Sequence, residues 1–175
     1  MKRLILISLL IVLSGHNPAT ISLKASGIKI SMAKDNSYNY AIETIKKWEA
    51  FSPIRYKLFG DTYIGYGHLL SDIDTISIVT ELQADSILRS DFDKGLKYLD
   101  KICPKLPRHK KMVLGMFVFN CGIGTFIRGK LYKSIQRRDS DSTIQGLYMT
   151  YIFADDKLLP KLEQRRIDEF KIWTK

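Results

Sequence analysis

Among the 18 acidic residues of the 175-residue chain, Glu49 is singled out by its position. It closes the run Ile45-Lys46-Lys47-Trp48-Glu49, four residues after Ile45 and seven after Ile42, so helical spacing sets it on the apolar side of its own helix. Burial penalises a charged carboxylate, and an acid in such a place keeps its proton to higher pH. Glu49 is therefore a candidate general acid, with Ile45, Trp48 and Phe51 as the nearest candidates for an apolar wall. Downstream lies Ile64-Gly65-Tyr66-Gly67-His68, with glycine at every second position. On a strand that spacing bares one face, so that another backbone or a ligand can come close. An acid at a helix end, followed by a strand with a bare face, makes one wall of a cleft.

The elements that must position this wall follow from periodicity. Ala41, Ile42, Ile45 and Trp48 lie on one stripe of a first helix beginning near Ser37, with Asp35 and Ser37 as candidate caps and Lys46 and Lys47 facing away. Ser52-Pro53 ends it. Tyr56 and the Tyr63-Ile64 pair flank Gly60-Asp61, which predicts a short hairpin, and Ser71 to Ile78 reads as a loop. Thr80-Glu81-Leu82-Gln83 predicts a capping box opening a second helix of nearly twenty residues, with Ala84, Ile87, Leu88, Phe92, Leu96 and Leu99 on its apolar face. Pro104 and Pro107 interrupt the chain before a third helix near Arg108, apolar almost all round from Met112 to Phe119 and hence a core helix. Shorter helices are expected around Leu131 to Arg137 and Thr143 to Tyr151. A last one begins near Pro160 with Leu159, Leu162, Phe170 and Trp173 inward and Arg165, Arg166, Asp168 and Glu169 as a charged flank. The sum is an α+β domain dominated by helices, with one small N-terminal β-hairpin.

Composition is that of an ordinary globular chain, 45% apolar and 26% charged, which argues against disorder. The net charge of +10 favours anionic partners without choosing among them. The charges are scattered rather than striped with aromatics, so nucleic acid is not an expected partner. Lys2 and Arg3 precede the apolar run Leu4 to Leu13, then Ser14 and Gly15, which is the layout of a secretory signal peptide over residues 1–14. That run is half of what a membrane span needs. Contact with a membrane is thus expected only in transit, and the location is exported, periplasm or cell envelope. Loss of the signal lowers the charge from +10 to +8, because Lys2 and Arg3 leave with it. Residues 15–36 read as a linker or tail, and 37–175 as the folded domain. Cys103 and Cys121 are free to pair or not, and two cysteines with three histidines give no zinc spacing, so neither metal nor cofactor is expected.

Taken in order, IKKWE on a helix, IGYGH closing a hairpin, the TELQAD capping box, FNCGIGTF ending a buried helix and LEQRRIDEF near the C-terminus resemble the phage-type lysozymes, the family of T4 and lambdoid endolysins. The likeness spans roughly residues 38 to 173. It implies a two-lobed lysozyme-like fold, a small hairpin lobe and a larger helical lobe joined by the long second helix, with peptidoglycan glycan strands bound between them.

The resemblance also implies a catalytic set of Glu, then Asp or Cys after eight residues, then Thr after five more. Glu49 matches the first, and Tyr56 the tyrosine that follows it by seven. Leu58 stands where the second acid belongs and Tyr63 where the threonine belongs, so the chain is a divergent member lacking both. Asp61, beside a hairpin tip one residue shorter than usual, is the candidate replacement, although a one-residue shift turns a strand side chain to the other face. Tyr63, Tyr66 and Asn120 are candidate substrate contacts, and Asn120 equally a helix-end cap. His68 reads as a structural imidazole tied to Asp72, Asp74 or Asp85. Arg165 or Arg166 can reach Glu49 from the last helix.

The expected activity is muramidase: hydrolysis of β-1,4 bonds between N-acetylmuramic acid and N-acetylglucosamine, with Glu49 as acid and Asp61 orienting water. Two alternatives stand beside it. One is a single-Glu lytic transglycosylase, where the sugar's own hydroxyl attacks. The other is a non-catalytic peptidoglycan-binding component of an envelope-spanning conjugation or secretion apparatus.

Overall fold

The computed structural model describes residues 36–58, 60–154 and 157–174. The expected signal peptide and most of the expected tail lie outside them. Seven helices and two small sheets are described: α1 (Ser37–Glu49), β1 (Ser52–Leu58), β2 (Asp61–Gly65), β3 (His68–Leu70), α2 (Glu81–Ile102), α3 (Arg108–Cys121), α4 (Ile123–Arg128), α5 (Lys130–Arg137), α6 (Asp141–Tyr148), β4 (Phe153–Ala154), β5 (Lys157–Leu158) and α7 (Pro160–Phe170). This is an α+β fold dominated by helices. None of the described helices is long and apolar enough to cross a membrane.

The core forms around α3. Met112 to Val118 are buried without a break, which is why the sequence there shows no polar face. Gly115 makes the contact with α2 possible, because a Cβ at that position would meet the Phe92 ring at 2.8 Å. From α2, Ala84, Leu88, Phe92 and Leu99 face inward at helical spacing. Its predicted capping box is present: the Gln83 N–H donates to the Thr80 hydroxyl at 3.3 Å, and the Thr80 N–H donates to the Gln83 side-chain oxygen at 2.8 Å.

Ala41, Ile42 and Ile45 seat α1 on this core. Its N-cap is Asn36, which makes no side-chain cap bond, so the capping expected of Ser37 is not made, and Asp35 lies outside the described residues. Nor do its lysines face idly outward. Lys46 pairs with Asp85 of α2, and Lys47 with Asp168 of α7 at 2.6 Å, so α1 is held from both sides.

The predicted hairpin is the first part of a three-stranded antiparallel sheet, ordered β1-β2-β3. The missed strand, β3, begins at His68. The expected loop from Ser71 to Ile78 folds back on β1: Ile78 bridges Ile54, and the Arg55 guanidinium donates to the carbonyls of Ile76 (2.5 Å) and Asp74 (2.6 Å). Helix α4 and the two-residue strands β4 and β5 were not expected either, being too short for periodicity to register.

The main correction concerns α7. Arg165, Arg166, Asp168 and Glu169 are 2%, 0%, 4% and 1% exposed. Arg165, Arg166 and Glu169 join Glu49 in a buried ionic network, and Asp168 pairs with Lys47 and Lys171, so this is not a solvated charged flank.

Candidate active site

Glu49 ends α1 and directs its carboxyl inward, with its side chain 1% exposed. Its two oxygens meet different neighbours. Oε1 lies 2.8 Å from Nη2 of Arg165, close enough for an ion pair but too poorly aligned for a hydrogen bond. Oε2 faces Gly67, where a Cβ would come within 3.4 Å of it. Gly67 has φ +81°, a backbone conformation that costs other residues about 1–2 kcal/mol. The glycine is thus required twice, by its turn and by the acid beneath it. Gly65, its partner in the motif, also holds a positive φ, +64°, and serves packing: a Cβ there would stand 3.0 Å from that of Ala84 on α2.

Burial raises the pKa of Glu49, outweighing the opposing pull of Arg165, and the nearby Glu169 carboxylate acts in the same direction as burial. The bent contact with Arg165 supplies attraction without a full hydrogen bond, which leaves the ionised form less supported than in an aligned pair.

Arg165 is itself anchored by donating from Nε to Glu169 at 2.8 Å. Glu169 also accepts from Arg166 and from the Tyr148 hydroxyl at 2.7 Å. Arg166 extends the chain of contacts to the Asn120 side-chain oxygen and lies over the rings of Phe117 and Tyr148 at 5.3 and 5.7 Å. Of the two arginines proposed from sequence, then, Arg165 reaches the acid and Arg166 holds the network behind it.

On the sheet side the register decides which residues share a face. Tyr56 pairs with Tyr63, and Leu58 with Asp61. Directly opposed residues share a face, as do residues two apart on one strand. Tyr56, Leu58, Asp61 and Tyr63 therefore lie on one face, and Thr62 on the other. The rings of Tyr56 and Tyr63 stack at 5.7 Å and 25°, and the Tyr63 hydroxyl donates to Asp61 at 3.5 Å. The Tyr56 hydroxyl is pushed up to about 12, by burial first and then by the charges of Glu49 and Tyr63. This is the face of the sheet that feels the acid, and Asp61 is on it.

The other sequence candidates fall elsewhere. Tyr66 is 5% exposed, and its hydroxyl donates to Glu81 at 2.9 Å while its ring meets Phe51 at 5.6 Å. It is a core residue, not a surface against which a sugar could lie. Phe51, expected to wall Glu49, turns to that ring. Asn120 sits inside α3 with its oxygen occupied by Arg166, so it is neither a helix-end cap nor a free acceptor. His68 is tied to Asp91 on α2 through Nδ1 at 2.5 Å, a structural contact as expected but with a different aspartate. Cys103 and Cys121 are both buried free thiols.

The model of the family described as Phage lysozyme matches residues 46–169 of this sequence. The chain belongs to the phage lysozyme family, whose members act as peptidoglycan hydrolases. No curated protein matches the sequence. Among solved structures, the muramidase domain of SpmX from Asticaccaulis excentricus is similar at 21% identity and a TM-score of 0.68, over 77% of this chain and 95% of that one. The endolysin from Escherichia coli O157:H7 phage FAHEc1 gives 21% identity and a TM-score of 0.63 over 77% and 90%. A variant of P22 lysozyme gives 16% and 0.63 over 76% and 94%. These likenesses establish the two-lobed lysozyme-like fold. Leu58 and Tyr63, where the sequence reading expects an acid and a threonine, share the sheet face of Tyr56 and Asp61.

Proposed function

We propose that this protein is a muramidase that cleaves the β-1,4 bond between N-acetylmuramic acid and N-acetylglucosamine in peptidoglycan, with Glu49 as general acid. The observation that supports this most directly is the state of that carboxyl. It is enclosed, raised in pKa by burial, and lies at the junction of the helical and sheet lobes where the family binds its glycan. A protonated Glu49 gives its proton to the leaving glycosidic oxygen. Inversion requires a second carboxylate to activate water on the opposite face of the sugar.

Asp61 fills that role in this reading. The family's acid position is Leu58, and Asp61 is its direct partner across the hairpin, so the carboxylate has moved one strand over without leaving the face. The Tyr63 hydroxyl that donates to Asp61 orients it, and the Tyr56–Tyr63 stack offers an aromatic edge to the sugar. The protein acts outside the cytoplasm, where its polymer lies. Incubating purified peptidoglycan with wild type and Glu49→Gln tests the reading: products with reducing ends from wild type only support it, and equal activity of the two proteins refutes it.

A second reading, lytic transglycosylation, is favoured by one specific feature. Leu58 and the stacked tyrosines make the place where water would be activated more apolar than the family pattern. Anhydro ends in the products would select it over hydrolysis.

A further inference from the structure

The side chain on which the proposed function relies is 1% exposed, with Arg165 against one carboxyl oxygen and the Gly67 turn over the other. A glycosidic oxygen must come within about 3 Å of an acid to take its proton, and this enclosure leaves it no such approach. The sheet and the acid therefore have to part by a few ångströms, and the backbone marks the joint at which they do.

Ala50, the residue after the acid and the first link from α1 to β1, has φ +56° and ψ +162°. Those angles lie at the edge of a region that glycine occupies almost alone, and a Cβ makes them costly. Among the described residues one other non-glycine has a positive φ, Arg138 at the end of α5, in the ordinary left-handed well at φ +59° and ψ +42°. Ala50 is pinned from both flanks. On the helical side its N–H donates to the Lys46 carbonyl at 3.2 Å, while Lys47 and Glu49 are tied to Asp168 and Arg165 of α7. On the sheet side the Phe51 ring packs on Tyr66, and Ser52 pairs with Gly65. A strained residue persists only where its surroundings over-determine it, as they do here.

The polar groups at this joint are also poorly satisfied. Among the described residues four buried side-chain atoms lack an aligned hydrogen bond: Trp48 Nε1, Glu49 Oε1, Arg165 Nη2 and Asp85 Oδ1. Trp48 and Glu49 end α1, Arg165 meets Glu49, and Asp85 meets Lys46 in the same last turn. Native interiors pair nearly all such atoms, so exceptions gathered in one place call for a reason. The first residues of β1 are loosely held as well, because its pairing with β2 shifts register between Ser52 and Tyr56. Strain, unmet hydrogen bonds and an interrupted ladder thus coincide beside the acid.

We infer that Ala50 is a positioning residue for Glu49, a strained joint that eases the sheet off the carboxyl when a glycan enters. The inference rests on the proposed function. A turn of Ala50 toward ordinary negative φ moves β1, and with it the sheet that carries the Gly67 turn, away from a carboxyl that stays with Arg165 on the helical side. The closed state carries the strain and the open state does not, so the strain lowers the cost of opening. Glycine at this position would remove the strain from the closed state and make the enclosure harder to leave.

Ala50→Gly tests this, with Arg138→Gly as the control for relieving a positive φ away from the acid. Ala50→Gly should raise the thermal midpoint by about 2–5 °C. It should also raise KM for soluble glycan strands about threefold or more at unchanged kcat, because less of the protein is then competent to bind. Binding of a peptidoglycan tetrasaccharide, measured by calorimetry in a Glu49→Gln background where no turnover intervenes, should weaken by a similar factor. Arg138→Gly should leave KM and affinity unchanged. A midpoint that does not rise, a raised midpoint with KM and affinity unchanged, or an equal rise of KM in Arg138→Gly would each overturn the inference. If the tetrasaccharide binds and Ala50→Gly weakens it, but the wild type does not hydrolyse glycan strands, the muramidase reading alone falls. If strands are hydrolysed and Ala50→Gly alters neither KM nor affinity, only this inference falls, and a wild type that neither binds nor hydrolyses sinks both.

Discussion

Asp61 stands directly opposite Leu58 in the β1–β2 pair. Opposed side chains in such a pair are about 5 Å apart and on one face, so a carboxylate missing from one strand is available from the other. Asp61→Asn should therefore lower hydrolysis by about a hundredfold or more while leaving the melting temperature nearly unchanged, whereas Glu49→Gln should lose about a hundred- to ten-thousand-fold. Release of reducing ends measures both. If Asp61→Asn retains full rate and the products carry anhydro ends, the carboxylate is a bystander.

The raised pKa of Glu49 sets the sign of the pH response. A general acid works only while protonated, so activity should fall as pH rises through its folded pKa, which lies above the ordinary 4.5. Glu49→Gln should abolish that basic limb along with the rate. A pH–rate profile on soluble glycan oligomers reads it, and a limb centred below 4.5 would contradict the burial argument.

Gly67 and Gly60 give a controlled comparison. Both have positive φ, +81° and +89°, but a Cβ at Gly67 meets the Glu49 carboxyl while one at Gly60 meets nothing within 4 Å. Gly67→Ala and Gly60→Ala should each cost about 1–2 kcal/mol of stability, and only the first should also depress turnover. Urea denaturation together with initial rates separates the two effects.

His68 contributes stability with a definite pH window. Its hydrogen bond to Asp91 raises the imidazole pKa, against the opposing effect of burial. The folded state therefore binds the proton more tightly than the unfolded chain. The stabilisation is fully present below the unfolded value of about 6.5 and is lost as pH rises through the folded one. Asp91→Asn should flatten the stability profile between about pH 6 and 9 relative to wild type. Denaturation midpoints across that range provide the check.

Removing one member of the buried network should be costly. Arg165→Met strips Glu49 and Glu169 of a shared cation and should destabilise the fold by about 3–5 kcal/mol, since it leaves buried charge uncompensated. Gly115→Ala, which only crowds Phe92, should cost about 1–3 kcal/mol.

What could be read from the sequence was local. The Thr80–Gln83 capping box is three residues wide, and the inward position of Glu49 follows from the spacing of Ile42 and Ile45, so both were legible without any tertiary information. Arg165 to Glu169 were misread for the same reason. Four charged residues on one helix look solvated until α1, Asn120 and Tyr148 are packed around them, and those partners lie up to 128 positions away along the chain. The expected partner of His68 was wrong because Asp91 lies 23 positions on, beyond β3, the loop over 71–80 and the first turns of α2, with nearer aspartates competing for the choice. The side of the sheet on which Asp61 falls needed the register, which a glycine turn one residue shorter than usual leaves open.

The ionic network behind the acid has a consequence for the chemistry. Its four members are two glutamates, 49 and 169, and two arginines, 165 and 166. With Glu49 protonated, the cluster carries one uncompensated positive charge in a place that water does not reach; once the proton has left for the sugar, the four charges cancel. Desolvation favours the protonated form, and in the proposed reaction this electrostatic surplus then favours the proton's departure, so the same enclosure both loads the acid and readies its discharge.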